Sequence, residues 1–115
     1  NAVKIWKLDA GGAPALVDSI ITKNIGTVSD VEVSADSREL MFSAENGTRA
    51  GIYFYSLVAD PAHPTFISYF AMNTNSSAGI HTASFYEANG HRYVLAARDP
   101  PGPSALILDV TALNP

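Results

Sequence analysis

Residues 51–70, GIYFYSLVADPAHPTFISYF, decide the fold of this chain. Both ends of the stretch are rich in β-branched and aromatic side chains, which is typical of β-strands. The Asp-Pro-x-x-Pro segment between them holds two prolines, which end strands and begin turns. The stretch therefore predicts a strand, a tight turn and a second strand, and the rest of the chain contains partial copies of this unit.

The same signals predict strands along the whole chain. The pair Asn89-Gly90 between two strand patterns is its strongest hairpin signal. Nowhere do apolar residues recur at helical spacing over a long window, so the chain is predicted to be all-β. The predicted strands are residues 2–8, 15–22, 28–34, 39–44, 52–57, 65–71, 81–86, 92–97 and 105–111.

The order of strands and turns repeats along the chain. Residues 26–57 align without a gap with residues 79–110, and residues 3–8 match residues 52–57. A repeat of roughly 50 residues with four strands is the signature of a β-propeller blade. We therefore expect propeller blades of four antiparallel strands, about two and a quarter of them, in one partial propeller domain. Residues 1–25 would be the last two strands of one blade, 26–71 a complete blade and 79–111 the first three strands of the next.

Two segments carry a family resemblance. They are Phe54-Tyr55-Ser56-Leu57, with Asp60-Pro61 and Pro64 after it, and Ile107-Leu108-Asp109-Val110-Thr111, with Pro115 after it. Both resemble the LVIVD-repeat family of β-propeller proteins, whose motif is an apolar strand, usually with Asp before its last apolar residue, followed by Asp-Pro-x-x-Pro. Asp109 fits the strand position, Ser56 and Lys7 depart from it, and Asp-Pro occurs only in the middle copy. The resemblance implies a propeller, often exported across a membrane, and implies no single activity and no catalytic residue.

Composition excludes several classes of function. The net charge is −4 and the seven Lys and Arg residues are scattered, which argues against nucleic acid as a partner. The chain has no cysteine, so it can form neither a disulfide nor a thiolate metal site. No apolar run approaches the ~20 residues that a membrane-spanning helix needs. The chain has no visible signal peptide and opens on Asn1 without an initiator Met, which predicts that it is a piece of a longer polypeptide.

Propeller topology would place the loops of residues 23–27, 45–50, 72–80 and 98–104 on one face. These loops are the longer ones and carry mixed charge, so this face is the predicted binding face. The simpler interpretation is that its polar residues are ordinary solvated loop residues. Asn46 and Asn75 also match the N-glycosylation pattern, which matters only in a secreted eukaryotic protein. The candidate binding residues are Glu45, Asn46, Arg49, Asn73, Asn75, Arg98 and Asp99.

His81 is the most suggestive single residue, because it begins a predicted innermost strand near the mouth of a propeller channel. Propeller enzymes place metal ligands or acid–base groups there, and His titrates near neutral pH. Asp30 lies on the neighbouring innermost strand and could approach it. However, Val28 occupies the position equivalent to His81, and the three histidines show no metal-ligand spacing. We therefore predict no metal and no cofactor, and a hydrogen-bonded structural role is the alternative for His81.

Two functions follow as hypotheses. The first is a non-catalytic interaction or scaffold module of a larger periplasmic or extracellular protein or assembly. It would bind a protein partner or the remaining blades of the same chain, and a position peripheral to a membrane complex stays open. The second is a hydrolase or lactonase-like enzyme with a metal in the channel, held by His81 and Asp30. Two and a fraction blades would leave two open sheet faces. Either neighbouring sequence of the same protein or other chains would cover these faces, and neighbouring sequence is the favoured interpretation.

Overall fold

The computed structural model describes residues 2–71, 79–98 and 104–115. These residues form strands and no helix, which confirms the all-β prediction. They therefore include no helix that could cross a membrane. The strands are β1 (Ala2–Leu8), β2 (Pro14–Ile21), β3 (Thr27–Val33), β4 (Glu39–Glu45), β5 (Gly51–Ser56), β6 (Thr65–Ala71), β7 (Ile80–Ala88), β8 (His91–Arg98) and β9 (Ser104–Asp109).

The strands form three separate sheets in which all neighbours are antiparallel. Sheet 1 contains β1 and β2, sheet 2 has the order β3-β4-β5-β6, and sheet 3 has the order β7-β8-β9. Each sheet is a meander of consecutive strands, as tight turns between neighbouring strands require. Residues 2–71, 79–98 and 104–115 do not form a closed ring of sheets, so the assignment of these sheets to propeller blades stays a prediction.

The turns confirm the hairpins that the sequence signals predicted. Asn89 and Gly90 have φ values of 53° and 76° and connect Ala88 to His91. A two-residue turn with positive φ at both positions matches the twist of an antiparallel pair, and Asn-Gly adopts it at low cost. The corresponding hairpin of sheet 2 closes with a longer turn, residues 34–38.

A register irregularity occurs in one ladder of sheet 1 and in one ladder of sheet 2. The β1–β2 ladder shifts between Ile5 and Trp6, and the β5–β6 ladder shifts between Phe54 and Tyr55. These are the same positions in the alignment of residues 3–8 with residues 52–57. The two ladders therefore share this local irregularity at matching positions of the alignment.

Sheet 2 lies between the other two sheets and is buried on both faces. Phe42 and Tyr53 pack toward sheet 1 with their rings stacked at 4.8 Å. Met41, Ile52 and Phe54 pack toward sheet 3. β5 has apolar residues on both faces, as this burial requires, whereas a strand covered on one side only would alternate with polar residues.

Sheet 3 departs from the gapless alignment. The alignment matches Phe42 with Leu95, yet Leu95 is exposed and its neighbours Val94 and Ala96 are buried against sheet 2. The β7–β8 ladder keeps the register of β3–β4, since Tyr86 pairs with Tyr93 as Val33 pairs with Leu40. The β8–β9 ladder is shifted by one residue, because Leu95 pairs with Ile107 whereas the alignment with β4–β5 matches it to Leu106. A shift of one residue exchanges the two faces of a strand, so β8 presents different residues to the core than the alignment predicts.

Two large apolar side chains are exposed: Trp6 is 52% exposed and Ile107 of β9 is 65% exposed. Both side chains lie on the faces of sheets 1 and 3 that point away from sheet 2. Among the described residues nothing covers these faces.

Candidate functional site

The loop end of the protein is the side where the connections of residues 22–26 and 46–50 lie. The two connections are joined by backbone hydrogen bonds, from Arg49 N to Asn24 O (3.0 Å) and from Gly26 N to Glu45 O (3.0 Å). Gly47 has a φ of 114°, and a Cβ atom there would lie 2.3 Å from the carbonyl oxygen of Asn24. Only glycine fits this position, so the loop end is a fixed surface rather than a loose one.

Arg49 is held in place by two tyrosines. The Tyr53 hydroxyl donates to the carbonyl oxygen of Arg49 at 2.6 Å, and the Tyr69 hydroxyl donates to that of Ala50 at 3.0 Å. The Arg49 guanidinium lies 4.9 Å from the centre of the Tyr69 ring, a cation–π contact. Burial raises the pKa of Tyr69, which therefore stays neutral and keeps its hydroxyl proton. This arrangement presents a positive charge at a defined position.

His81 pairs with Glu45 at the start of β7. Its Nδ1 atom lies 2.6 Å from Glu45 Oε1, and the imidazole is 59% exposed while the carboxylate is 18% exposed. Gly79 permits this contact because a Cβ there would lie 2.3 Å from the Cα of Glu45. The Ser43 hydroxyl also donates to the His81 carbonyl oxygen at 3.4 Å. A carboxylate on one ring nitrogen fixes the orientation of an imidazole, so this pair is an ordered acid–base unit.

The carboxylate of Asp30, on β3, accepts hydrogen bonds from the two residues that follow His81 on β7. Its Oδ2 atom accepts from the Thr82 hydroxyl at 2.6 Å and from Ala83 N at 3.3 Å, and its Oδ1 atom accepts from Val31 N at 2.9 Å. The Thr82 hydrogen bond is the largest of the causes that lower the pKa of Asp30, followed by the two backbone hydrogen bonds and the nearby His81. The carboxylate is therefore ionised at neutral pH and fully engaged with protein donors.

Glu32 repeats this contact two residues further along β3. Its Oε2 atom accepts from Phe85 N at 2.8 Å. Asp30 and Glu32 thus bind alternate backbone N–H groups on the edge of β7, and we call this arrangement the carboxylate clasp. It joins the first strands of sheets 2 and 3 without a shared β-ladder.

The sequence expectation for His81 and Asp30 is only partly matched. The structure brings Asp30 to the strand of His81, but the Asp30 carboxylate binds Thr82 and Ala83, and the imidazole contacts Glu45. A protein metal site uses three or more such ligands. No group of three His, Cys, Asp or Glu side chains that could hold a metal ion occurs in residues 2–71, 79–98 and 104–115.

The remaining predicted residues fall into two groups. Asn46 is exposed on the loop end with a φ of 54°, and Arg98 ends β8 opposite Ile80. Asn73, Asn75 and Asp99 lie outside the described residues. The other two histidines lie at the opposite end, where His63 Nδ1 is 3.2 Å from Asp18 Oδ2 and His91 Nδ1 is 3.8 Å from Asp109 Oδ2.

Sequence reasoning missed two features at the end opposite the loop end. Glu39 is fully buried and forms an ion pair with Arg92 between sheets 2 and 3. Arg92 also lines a cleft of about 370 Å³ between these sheets. Glu39 directly follows a polar turn, so its sequence position indicates a solvated residue. The other residues of the cleft are Glu32, Val33, Ser34, Ala35, Phe85, Tyr86 and Glu87.

The pairing of His81 with Glu45 was also missed, although both residues were candidates. They are far apart in sequence, and only the packing of sheet 3 on sheet 2 brings them together. The one available signal was that both lie at ends of strands next to loops of the same predicted face.

No protein-family model matches the chain, and no curated protein or solved structure is significantly similar to it.

Proposed function

We propose that the chain is a non-catalytic segment of a β-propeller that acts as a protein-interaction or scaffold module in a larger exported protein or assembly. The burial of sheet 2 on both faces between two other antiparallel sheets is the observation that supports this proposal. A blade between its neighbours in a propeller has the same arrangement. The periplasmic or extracellular location belongs to the proposal and rests on the family resemblance.

The loop end is the proposed partner-binding surface. Asn46, Thr48 and Arg49 are exposed there on a connection that backbone hydrogen bonds hold in place. A surface that is already ordered loses little conformational entropy on binding. Arginine next to tyrosine is also a common feature of protein–protein interfaces, where both residues are enriched.

The alternative, a hydrolase with a channel metal held by His81 and Asp30, receives less support. Asp30 already accepts three hydrogen bonds from the protein, and a metal would have to replace some of them. The His81–Glu45 pair orients an imidazole, but an exposed pair of this kind is also an ordinary surface contact.

Site-specific photo-crosslinking in the source cells tests the proposal. A benzophenone amino acid at Thr48 places the probe on the loop end, and one at Val58 places it on an exposed turn at the other end. We expect the probe at Thr48 to give a discrete protein adduct, identifiable by mass spectrometry, that is absent with the probe at Val58. Arg49→Ala should reduce its yield, since it removes the oriented charge. Equal labelling from both positions, or none from Thr48, would contradict the proposal.

Zinc equilibrium dialysis separates the two hypotheses. The interaction module should bind no stoichiometric Zn²⁺, and His81→Ala should change nothing. One equivalent of Zn²⁺ that is lost in His81→Ala and in Asp30→Asn would favour the enzyme instead.

A further inference from the structure

Sheet 1 has an exposed apolar face on the side away from sheet 2, which we call the sheet-1 outer face. Trp6 and Leu16 are cross-strand partners on this face, and they are 52% and 49% exposed. Leu8 lies on the same face because it is two residues from Trp6 in the strand, and it too is exposed. Side chains of this size rarely form an open cluster on a soluble surface, so this face indicates an interface.

Sheet 3 has a similar exposed face on its own far side, the sheet-3 outer face. Leu95 and Ile107 are cross-strand partners there, and both are exposed. Tyr86 and Tyr93 extend the patch, with their rings stacked at 5.1 Å. The two outer faces thus lie at opposite ends of the three-sheet stack.

Sheet 2 shows what covers faces of these two kinds. Trp6 matches Tyr55 in the repeat, and Tyr55 packs against sheet 1. Ile107 matches Phe54, and Phe54 is buried against sheet 3. Each outer face is therefore equivalent to a face of sheet 2 that another sheet covers. The two outer faces also differ from each other. The sheet-1 outer face corresponds to the face of sheet 2 that meets sheet 1, and the sheet-3 outer face corresponds to the face of sheet 2 that meets sheet 3.

The charges on the two outer faces are complementary. Lys4 lies on the sheet-1 outer face, as its position two residues before Trp6 requires, and its cross-strand partner is Ser19. Asp109 lies on the sheet-3 outer face opposite Tyr93. The hydrogen bond from Thr111 and the neighbouring His91 lower the pKa of Asp109, so the carboxylate is charged at neutral pH. Faces with charges of opposite sign attract each other and disfavour pairing with a copy of themselves.

We propose that the sheet-1 outer face of one copy of this chain packs on the sheet-3 outer face of a second copy. The contact repeats the packing of sheets 1, 2 and 3 within the chain, with Trp6 and Leu16 of one copy against Leu95 and Ile107 of the other. Such a head-to-tail interface joins two different surfaces. Each added copy still offers one free face, so the assembly grows until it closes into a ring or forms a filament. This inference concerns the ends of the stack and is independent of the loop-end proposal.

Light scattering after size-exclusion chromatography tests the proposal on the 115-residue chain of 12.2 kDa. Wild type should show mass that increases with concentration beyond a dimer. Trp6→Glu and Ile107→Glu should each weaken self-association roughly thirtyfold or more, the effect of losing a central apolar contact. Val58→Glu changes an exposed apolar residue on neither outer face and should assemble as wild type does.

A mixture of the two interface variants gives the sharpest result. Trp6→Glu keeps an intact sheet-3 outer face and Ile107→Glu keeps an intact sheet-1 outer face, and the two mutated faces carry like charges that repel each other. Together they should form a 1:1 heterodimer of about 24 kDa, twice the mass of the chain, and grow no further. Circular dichroism of each variant shows that the strands are retained.

Three outcomes would overturn the proposal. One is a wild type that stays monomeric up to millimolar concentration. Another is a pair of folded variants that remain monomers when mixed. The third is self-association that survives in either variant alone, since this would indicate pairing of like faces.

Discussion

The carboxylate of Glu39 is completely buried and pairs with the guanidinium of Arg92, so an ion pair connects sheet 2 to sheet 3. Arg92 also donates to the carbonyl oxygen of Leu113 at 3.5 Å, and Glu39 N donates to Ser34 Oγ at 2.9 Å. A buried carboxylate is stable only while its positive partner is present, because desolvation strongly disfavours an isolated charge.

Arg92→Met should therefore destabilise the fold by about 3–5 kcal/mol, the usual cost of leaving one buried charge unpaired. The double variant Glu39→Leu, Arg92→Met removes both charges and should lie within about 1 kcal/mol of wild type or be more stable. Urea denaturation at pH 7 measures both. If the double variant were as unstable as the single one, packing rather than charge would be the cause.

Asp30 should make the stability of the chain depend on acid pH. Its pKa is lowered in the folded state, chiefly by the Thr82 hydroxyl, so the unfolded chain binds a proton more readily. This contribution is fully present above the ordinary aspartate pKa of 3.8 and is lost as the pH falls through the lower folded value. Carboxyl NMR titration should show the lowered pKa in wild type and a value nearer 3.8 in Thr82→Val.

Asp30→Asn provides the control for this pH effect. It should be less stable than wild type at pH 7, and the difference should shrink as the pH falls below 3.8. A difference that is constant with pH would show that the hydrogen bonds, rather than the ionisation, determine the contribution of this residue.

Gly47 should tolerate no side chain. Its φ of 114° is strained for any other residue, and a Cβ would meet the Asn24 carbonyl oxygen at 2.3 Å. Gly12 is the matched control, because its φ is 80° and nothing lies within 4 Å of the added Cβ. We expect Gly12→Ala to cost about 1–2 kcal/mol from the backbone alone, and Gly47→Ala to cost clearly more. Thermal denaturation compares the two, and equal losses would contradict the close contact.

Phe54 should be essential to the packing of sheet 3 on sheet 2. It is 2% exposed, and its ring centre lies 6.4 Å from that of Phe85. Phe54→Ala removes a buried ring and should cost about 3–5 kcal/mol. Phe66→Ala is the control, since Phe66 is 53% exposed and should lose less than half as much. Similar losses in the two variants would contradict this assignment of the core.

Local signals predicted the strands and turns well. Asn89-Gly90 forms the two-residue turn that its sequence requires, and β5 is buried on both faces as its apolar residues indicate. Both features are determined by residues that lie close together in the sequence. Strand periodicity and turn chemistry are therefore sufficient to identify them.

Contacts between sheets could not be predicted in the same way. The pairs His81–Glu45 and Glu39–Arg92 depend on how one sheet lies on the next, and no local pattern specifies this. The face exchange in β8 has the same origin, because it follows from a one-residue shift in how β8 pairs with β9, which no local pattern specifies.

The carboxylate clasp has a consequence for how neighbouring sheets stay distinct. The N–H groups of Ala83 and Phe85 at the edge of β7 could otherwise donate hydrogen bonds to the backbone of an added strand. An open edge of this kind promotes misregistered pairing and aggregation. Asp30 and Glu32 occupy these donors with side-chain oxygens. Their carbonyl-like geometry imitates a neighbouring strand, but a side chain cannot extend a ladder. The clasp therefore terminates sheet 3 at β7 while it attaches sheet 3 to sheet 2, so that the two sheets stay separate instead of merging into one wide sheet.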